Sequence, residues 1–351
     1  MAVANILGGT GVVPAQNTQV FTELNSLTRR AFVPRVTVQL YYSTPTIMML
    51  LATAQRSAGG LNQITFPVQG QSMVQGAWTS YSGAFNKPQV IPGVQNAAFN
   101  TAYFLVPVPL VMGEVLIQST EAIIPILDVR MNDVYAVTAQ QMGSAIFTNN
   151  TANSLMPNSF VDAFDDGTNV ANYGGINRNA GGNAFWKGQR INANAGVVAS
   201  RQQMQQYLIQ LTDAAGGETP DYGVMNPSDY AILAKDFIGS NSSAAEPINV
   251  TPGRYSADMD IPVRSSFPNV YIGGVPFFMD HWCPKGTMYF VNSRYTAMYL
   301  SEDAPFIFSG FYSAIPVMQL AQIGLMVVGY NVLCAKPLAN ASIFNMANGG
   351  F

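Results

Sequence analysis

Charge is what this sequence lacks most. Only 10% of its 351 residues are Asp, Glu, Lys or Arg, where an average soluble domain has roughly 25%. A free monomer with so few charges is expected to be poorly soluble. Two settings tolerate the deficit: a membrane, or a surface buried against other subunits, since interface cores are depleted of charge. Long hydrophobic runs are missing too. A spanning helix needs about 20 predominantly apolar residues in a row. The longest uncharged stretch, between Asp303 and Lys336, is broken by Pro305, Pro316, Gln319, Gln322 and Asn331 and has a strand-like pattern. A helical membrane protein is therefore not expected. The helical reading of the middle of the chain argues against an outer-membrane barrel, whose strands alternate throughout.

Groups that do chemistry are equally scarce. His281 is the only histidine, so a Ser-His-Asp or Cys-His hydrolase has to use it. Cys283 lies two residues on, and on a strand the two side chains share a face, but nothing else supports a dyad. Cys283 and Cys334 show no CxxC spacing and read as small buried thiols in a reducing compartment. Three His and Cys together do not suit zinc. The acids of "DAFDDG", Asp162 to Gly167, fall at positions 1, 4 and 5, without the alternation of a calcium loop. Asp128 and Asp133 stand about 140° apart around a helix and do not converge. Neither Gly8-Gly9-Thr10-Gly11 nor Gly181-Gly182 has the strand-and-helix context of a phosphate loop. No catalytic residue, metal or cofactor is expected, and no enzyme. "MAVANILGGTGVVPAQ" has no charged n-region or long apolar h-region, so no secretory signal is expected.

What is present is an order of segments. The net charge is −3, yet Arg29, Arg30, Arg35 and Arg56 face only Glu23 in the first 56 residues. This is a basic arm, solvated or lying against something acidic. "PTIMMLLATAQ" from Pro45 predicts a short helix with proline in its first turn. "GGLNQITFPVQGQ" through "GAWTSYSGAFNKPQVIPG" predicts a long two-stranded excursion. "AAFNTAYFLVPVPLVMGEVLI" reads as strands. The spacing of Leu127, Met131, Val134, Met142 and Ile146 predicts a helix over 125–147, roughly 35 Å long, with several faces covered.

A long polar connection from Thr148 leads into "GGINRNAGGNAFWKGQR", Gly174 to Arg190, which holds five glycines, three asparagines, a Phe-Trp pair and three basic residues. A helix follows, with Ser200 and Gln203 as a capping box, Met204, Tyr207, Leu208 and Leu211 on its apolar face, and Gly216-Gly217 as its stop. "DYGVM" predicts a strand, and Asn226-Pro227 opens another helix. A β-meander is expected from Phe267 to Ser301, with turns at Gly273-Gly274, Pro284-Lys285-Gly286 and Asn292-Ser293, and long strands after it. The class is α+β.

These segments, in this order, resemble the major capsid proteins of tailed bacteriophages, whose fold is shared by herpesvirus shells and encapsulins. The resemblance covers roughly residues 45–340. It rests on Gly174-Gly175-Ile176-Asn177-Arg178 with Trp186-Lys187 and Gln189, on Pro220-Asp221 with Met225-Asn226-Pro227, and on Gly274-Val275-Pro276 with Pro284, Gly286, Tyr289-Phe290 and Asn292. Family members usually have Gly-Gly-Ile-Asp-Arg and a Trp-Trp-Arg cluster; here Asn177 replaces the acid and Phe185 the first Trp.

The resemblance implies an N-terminal arm and short helix (1–58), an extended β-loop (59–98), a peripheral domain with its spine helix (99–150), an axial domain (151–304) and C-terminal strands returning to the peripheral domain (305–351). It implies a structural protein that self-assembles, as hexamers and pentamers, into an icosahedral virion shell around double-stranded DNA, built in the host cytoplasm. Scaffolding, portal and decoration proteins would be further partners. Arg29, Arg30 and Arg35 would line the inner surface and meet DNA or scaffold without sequence readout. Trp78, Arg178, Phe185, Trp186, Lys187 and Arg190 are the candidate interface or loop-anchor residues. Phe185 and Trp186 are expected to pack, and the three basic residues to make subunit-level polar contacts. An encapsulin-like compartment holding protein cargo is the alternative within this fold. A membrane or cell-surface β-protein is the alternative outside it.

Overall fold

Prolines, a hydroxyl and a glycine pair set the helix ends. The computed structural model describes residues 44–57, 63–70, 93–111, 126–150, 155–194, 200–239, 270–313 and 321–347, with positions 72, 78, 81, 83 and 153. The basic arm with Arg29, Arg30 and Arg35 lies outside the described residues.

Helix α1 (Pro45–Ala52) begins on its proline. Strand β1 (Gln55–Ser57) follows, then β2 (Gln63–Gln69), β3 (Val94–Asn100) and β4 (Ala102–Val111). Helix α2 (Ile126–Ile146) is the long helix the spacing predicts. It buries Val134, Met142 and Ile146. With Ala136, Thr138, Gly143 and Ala145 also buried, several of its sides are covered, as expected, while Asn132, Asp133, Tyr135 and Gln141 are exposed. Gly143 lets α2 approach its neighbours: a Cβ there would stand 2.5 Å from the Thr44 methyl and 2.8 Å from the Trp282 ring.

The long polar connection is more structured than its composition predicts. It holds a one-turn helix, α3 (Phe160–Ala163), closed by a Ser159–Asp162 capping box. After it come the two-residue strands β5 (Asn172–Tyr173) and β6 (Ile176–Asn177) and then β7 (Gln189–Asn192). Helix α4 (Arg201–Ala214) has half the predicted box, the Ser200 hydroxyl accepting from the Gln203 amide. Its end is a Schellman motif: Gly217 donates to Thr212 and Gly216 to Asp213, both glycines having positive φ. Strand β8 (Tyr222–Met225) leads through Asn226 into α5 (Pro227–Gly239).

Strands β9 (Val270–Ile272), β10 (Val275–Met279), β11 (Met288–Val291), β12 (Thr296–Ser301), β13 (Ile307–Ser313), β14 (Ala321–Cys334) and β15 (Ala341–Phe344) complete the chain. Their pairing corrects the expected meander. Within the span expected to be a meander, only β9 and β10 pair as a hairpin, over Gly273-Gly274; β8 inserts between β10 and β11, parallel to the first and antiparallel to the second. All four β8 residues are buried, which suits a central strand. The six-stranded order is β7-β15-β11-β8-β10-β9.

The second sheet runs β1-β12-β14-β13, with β4 on the other edge of β14 over ten residue pairs. The linear boundary at residue 304 therefore does not follow the sheets. Strand β12 precedes it yet belongs with β14, and β15 follows it yet returns to the six-stranded sheet. One apolar cluster joins the two sheets, from Tyr222, Val224 and Tyr289 on one side to Met298, Val328 and Val332 on the other.

Two buried carboxylates tie this frame together. Asp280, fully buried, accepts from the Thr46 hydroxyl at 2.7 Å and the Trp282 amide at 3.0 Å, linking α1 to the turn after β10. Asp229, in the first turn of α5, accepts from the Gly286 amide at 2.8 Å, and its other oxygen has no partner among the described residues. Burial pushes both carboxyls above the ordinary value; the bonds from Thr46 and Trp282 and nearby His281 oppose this at Asp280, and the Gly286 bond and Lys285 oppose it at Asp229.

The folded state thus holds these protons more tightly than the unfolded chain. Their stabilising contribution is complete below the unfolded value of about 3.9 and is lost as pH rises through the raised folded values. Asp229→Asn, which keeps the Gly286 bond and removes the charge, should therefore gain on the wild type as pH rises. Melting curves of the two proteins between about pH 4 and 7 check this. A constant difference across that window would refute it.

Candidate functional site

The Gly-rich connection is built around one arginine. Its β5–β6 hairpin turns over Gly174 and Gly175, both with positive φ, which only glycine adopts freely. The turn delivers Arg178 inward, where it is fully buried. Its Nε donates to the Trp186 carbonyl at 3.0 Å, Nη1 to those of Asp162 (2.8 Å) and Val170 (3.3 Å), and Nη2 to that of Ala163 (2.7 Å). The guanidinium also lies over the Tyr173 ring, 4.7 Å from its centre. Burial lowers its pKa, and the nearby Tyr173 and the buried Asp165 and Asp162 oppose that loss. Asp165 in turn accepts the amides of Gly167, Asn169 and Val170 and lies 3.7 Å from Arg190. "DAFDDG" is thus the counter-charge of a buried arginine, and among the described residues no cluster of acids, His or Cys could hold a metal.

Trp186 ends a 3-10 turn, Ala184–Trp186, and is fully buried. Its Nε1 donates to the Tyr173 carbonyl at 2.9 Å. It packs among Phe66, Tyr173 and Phe185, with ring centres 6.4, 5.8 and 6.2 Å away. Phe66 belongs to β2, so the loop lies beneath the β2–β3 ladder. Three further contacts follow that ladder. The Ala98 amide donates to the Gly174 carbonyl, Gln95 Nε2 donates to Asn183 Oδ1 at 2.7 Å, and the half-buried Phe185 ring lies against Gly70, where a Cβ would run into it.

The candidate residues therefore divide. Arg178 was expected as an interface or loop-anchor residue in subunit-level polar contacts; its donors are instead spent inside its own chain, because four carbonyls converge on it. Arg190 is half-buried between Asp165 and the Phe344 ring, 3.9 Å from the ring centre. Lys187 is half-buried, and Trp78 is fully exposed. His281 is exposed in its turn. Cys283 is buried and donates to the Thr287 carbonyl, and burial pushes its thiol well up. The turn does not present an activated thiol beside an imidazole.

The sequence did not single out the outer face of the second sheet. Along β4, Tyr103 and Leu105 are exposed while Val108 and Leu110 are buried, the two-residue period of a strand. Register places Leu105 opposite Val327 and Val327 opposite Ile307; Pro109, Ile323 and Tyr312 form a second row. Ile307, Tyr312 and Leu325 are likewise exposed. The opposite face packs Val108, Met326, Phe308 and Phe311 against Val134 of α2. This uncharged outer face is what the composition required somewhere. Its period-two signal was available at residues 102–110, but the cross-strand partners were not. The far edge of β4 pairs with no strand among the described residues. Pro107 and Pro109 remove two donors from that strand, and Arg130 donates to the Pro109 carbonyl. The edge is blunted against strand addition while the face stays open.

No protein-family profile and no curated protein matches the sequence. Solved structures do match. The capsid of cyanophage A-1(L) superposes with a TM-score of 0.69 at 12% identity, over 92% of this chain and 98% of that one. The capsid of Myoviridae phage XM1 gives 0.58 at 12% identity, over 92% and 98%. The SrpI encapsulin of Synechococcus elongatus PCC 7942 gives 0.56 at 10% identity, over 94% and 96%. The chain has the α+β capsid fold of tailed bacteriophages and encapsulins, as its segment order implies. Among the described residues no helix is long and apolar enough to cross a membrane.

Proposed function

We propose that this chain is a bacteriophage major capsid protein, a structural subunit that assembles with copies of itself into a closed icosahedral shell. One observation carries the reading: the fold matches shell subunits over more than nine-tenths of this chain and of theirs. The surface supports it. A face of Tyr103, Leu105, Ile307, Tyr312 and Leu325 is unfavourable in water and is relieved by burial against neighbours, as in obligate interfaces. Symmetry repeats such a patch on every copy, so contacts close into rings and a shell. In this reading the subunits form hexamers and pentamers of a virion shell assembled in the host cytoplasm. The cargo is double-stranded DNA, met without sequence readout by the arm with Arg29, Arg30 and Arg35. Scaffolding, portal and decoration proteins complete the particle, and no catalysis is required of the chain. The encapsulin match favours one second reading, a compartment around protein cargo.

The purified protein should sediment as closed shells or capsomers and appear so by electron microscopy. A stable monomer at high concentration would overturn the proposal. Double-stranded DNA in particles from infected cells supports the virion reading; a co-purifying enzyme supports the compartment. Leu105→Asp should abolish shells while moving the melting temperature by no more than about 2 °C, because the residue is exposed in the free chain.

A further inference from the structure

We infer that Phe185 is the fulcrum that aims the β2–β3 hairpin, so that the Gly-rich loop decides where the exposed end of that hairpin lands. A two-stranded ladder is marginal alone. This one has seven residue pairs, from Gln63–Asn100 to Gln69–Val94. The loop supports it in sequence: Gly174 under Ala98, Trp186 under Phe66, Asn183 at Gln95, and Phe185 at Gly70, one residue past the last pair. The Gly70 amide donates to the Gly93 carbonyl there, so this support acts on both strands.

Beyond Gly70 and Gly93 the chain carries Trp78 and Tyr81, both fully exposed. The chain between Gly70 and Gly93 leaves the ladder through this one supported pair. The direction is therefore set by the last support and not by the ladder's own bonds. Gly70 does not have a positive φ, so its need for glycine is room for the Phe185 ring and not backbone freedom.

The part of this inference that concerns assembly rests on the shell reading; the part that concerns the hairpin does not. Gly70→Ala should push the strand off the ring. Backbone amides of 63–69 and 94–100 should then exchange about tenfold faster, with the melting temperature within about 3 °C of wild type. Shells should be lost or become irregular by electron microscopy. Phe185→Ala should also raise hairpin exchange. The double variant Gly70→Ala/Phe185→Ala should be no worse than Phe185→Ala alone, since the added methyl no longer meets a ring. Phe185→Leu should restore part of the protection. Additive effects in the double variant, or regular shells and unchanged exchange in Gly70→Ala, would overturn the inference. If Gly70→Ala does not fold, Phe185→Ala and Phe185→Leu decide it, and equal exchange in these two overturns it. If the wild type forms no shells, the shell reading falls while the exchange measurements still test the fulcrum.

Discussion

Trp186→Ala should lower the melting temperature by roughly 10 °C and unclamp the β2–β3 hairpin. Three costs add. Removing a fully buried tryptophan typically costs about 3–5 kcal/mol, part of it the cavity left when neighbours cannot collapse. Those neighbours are the rings of Phe66, Tyr173 and Phe185, each held by other contacts, so collapse is limited. The Tyr173 carbonyl also loses the indole donor, and an unsatisfied buried acceptor costs about 1–3 kcal/mol. Set against a typical total of about 5–15 kcal/mol, this is a large fraction. Trp186→Phe separates the terms, because it restores most of the volume and none of the hydrogen bond. It should fall between wild type and alanine. Thermal denaturation measures the first effect and amide exchange over 63–69 and 94–100 the second. A Trp186→Ala protein melting within about 2 °C of wild type, hairpin protected, would show that the loop is not an anchor.

The contrast between Trp186 and Arg178 shows what local sequence conveys. Trp186 announces its burial by its size and apolar surface. The ends of α1, α4 and α5 are equally legible, since Pro45, Ser200, Gly216-Gly217 and Asn226-Pro227 act on their own backbone within a turn or two. Arg178 carries the opposite signal, because a charge among Gly and Asn reads as solvated surface. What buries it lies up to sixteen residues away, in the carbonyls of Asp162, Ala163 and Val170 and the carboxylate of Asp165. A hint was present in "DAFDDG", three acids with no cation nearby in sequence, but nothing local says that two of them face inward. Sheet order is illegible for the same reason. The strands β8, β12 and β15 each carry a clear pattern, yet their partners are 67, 38 and 55 residues away in the register pairs Gly223–Phe290, Thr296–Cys334 and Met288–Ile343. Only burial in three dimensions selects among them.

Arg178→Met should be more damaging than its conserved length implies, and Arg178→Lys nearly as damaging. Methionine fills much of the volume but strands the carbonyls of Asp162, Ala163, Val170 and Trp186, and removes one cation from beside the buried Asp162 and Asp165, the latter keeping Arg190 at 3.7 Å. Breaking a buried charge pair from one side costs about 3–5 kcal/mol. Lysine keeps the charge, yet an ammonium offers three donors from one point where the guanidinium offers five in a planar fork. It cannot reach carbonyls on α3, on residue 170 and on residue 186 together. The bond to the Trp186 carbonyl matters most for function, because it fixes the 3-10 turn that seats Trp186 under Phe66 and Phe185 on Gly70. Both variants should therefore lose hairpin protection in amide exchange along with thermal stability. If Arg178→Lys keeps the wild-type melting temperature and hairpin exchange, charge alone holds the loop and the fork geometry is dispensable.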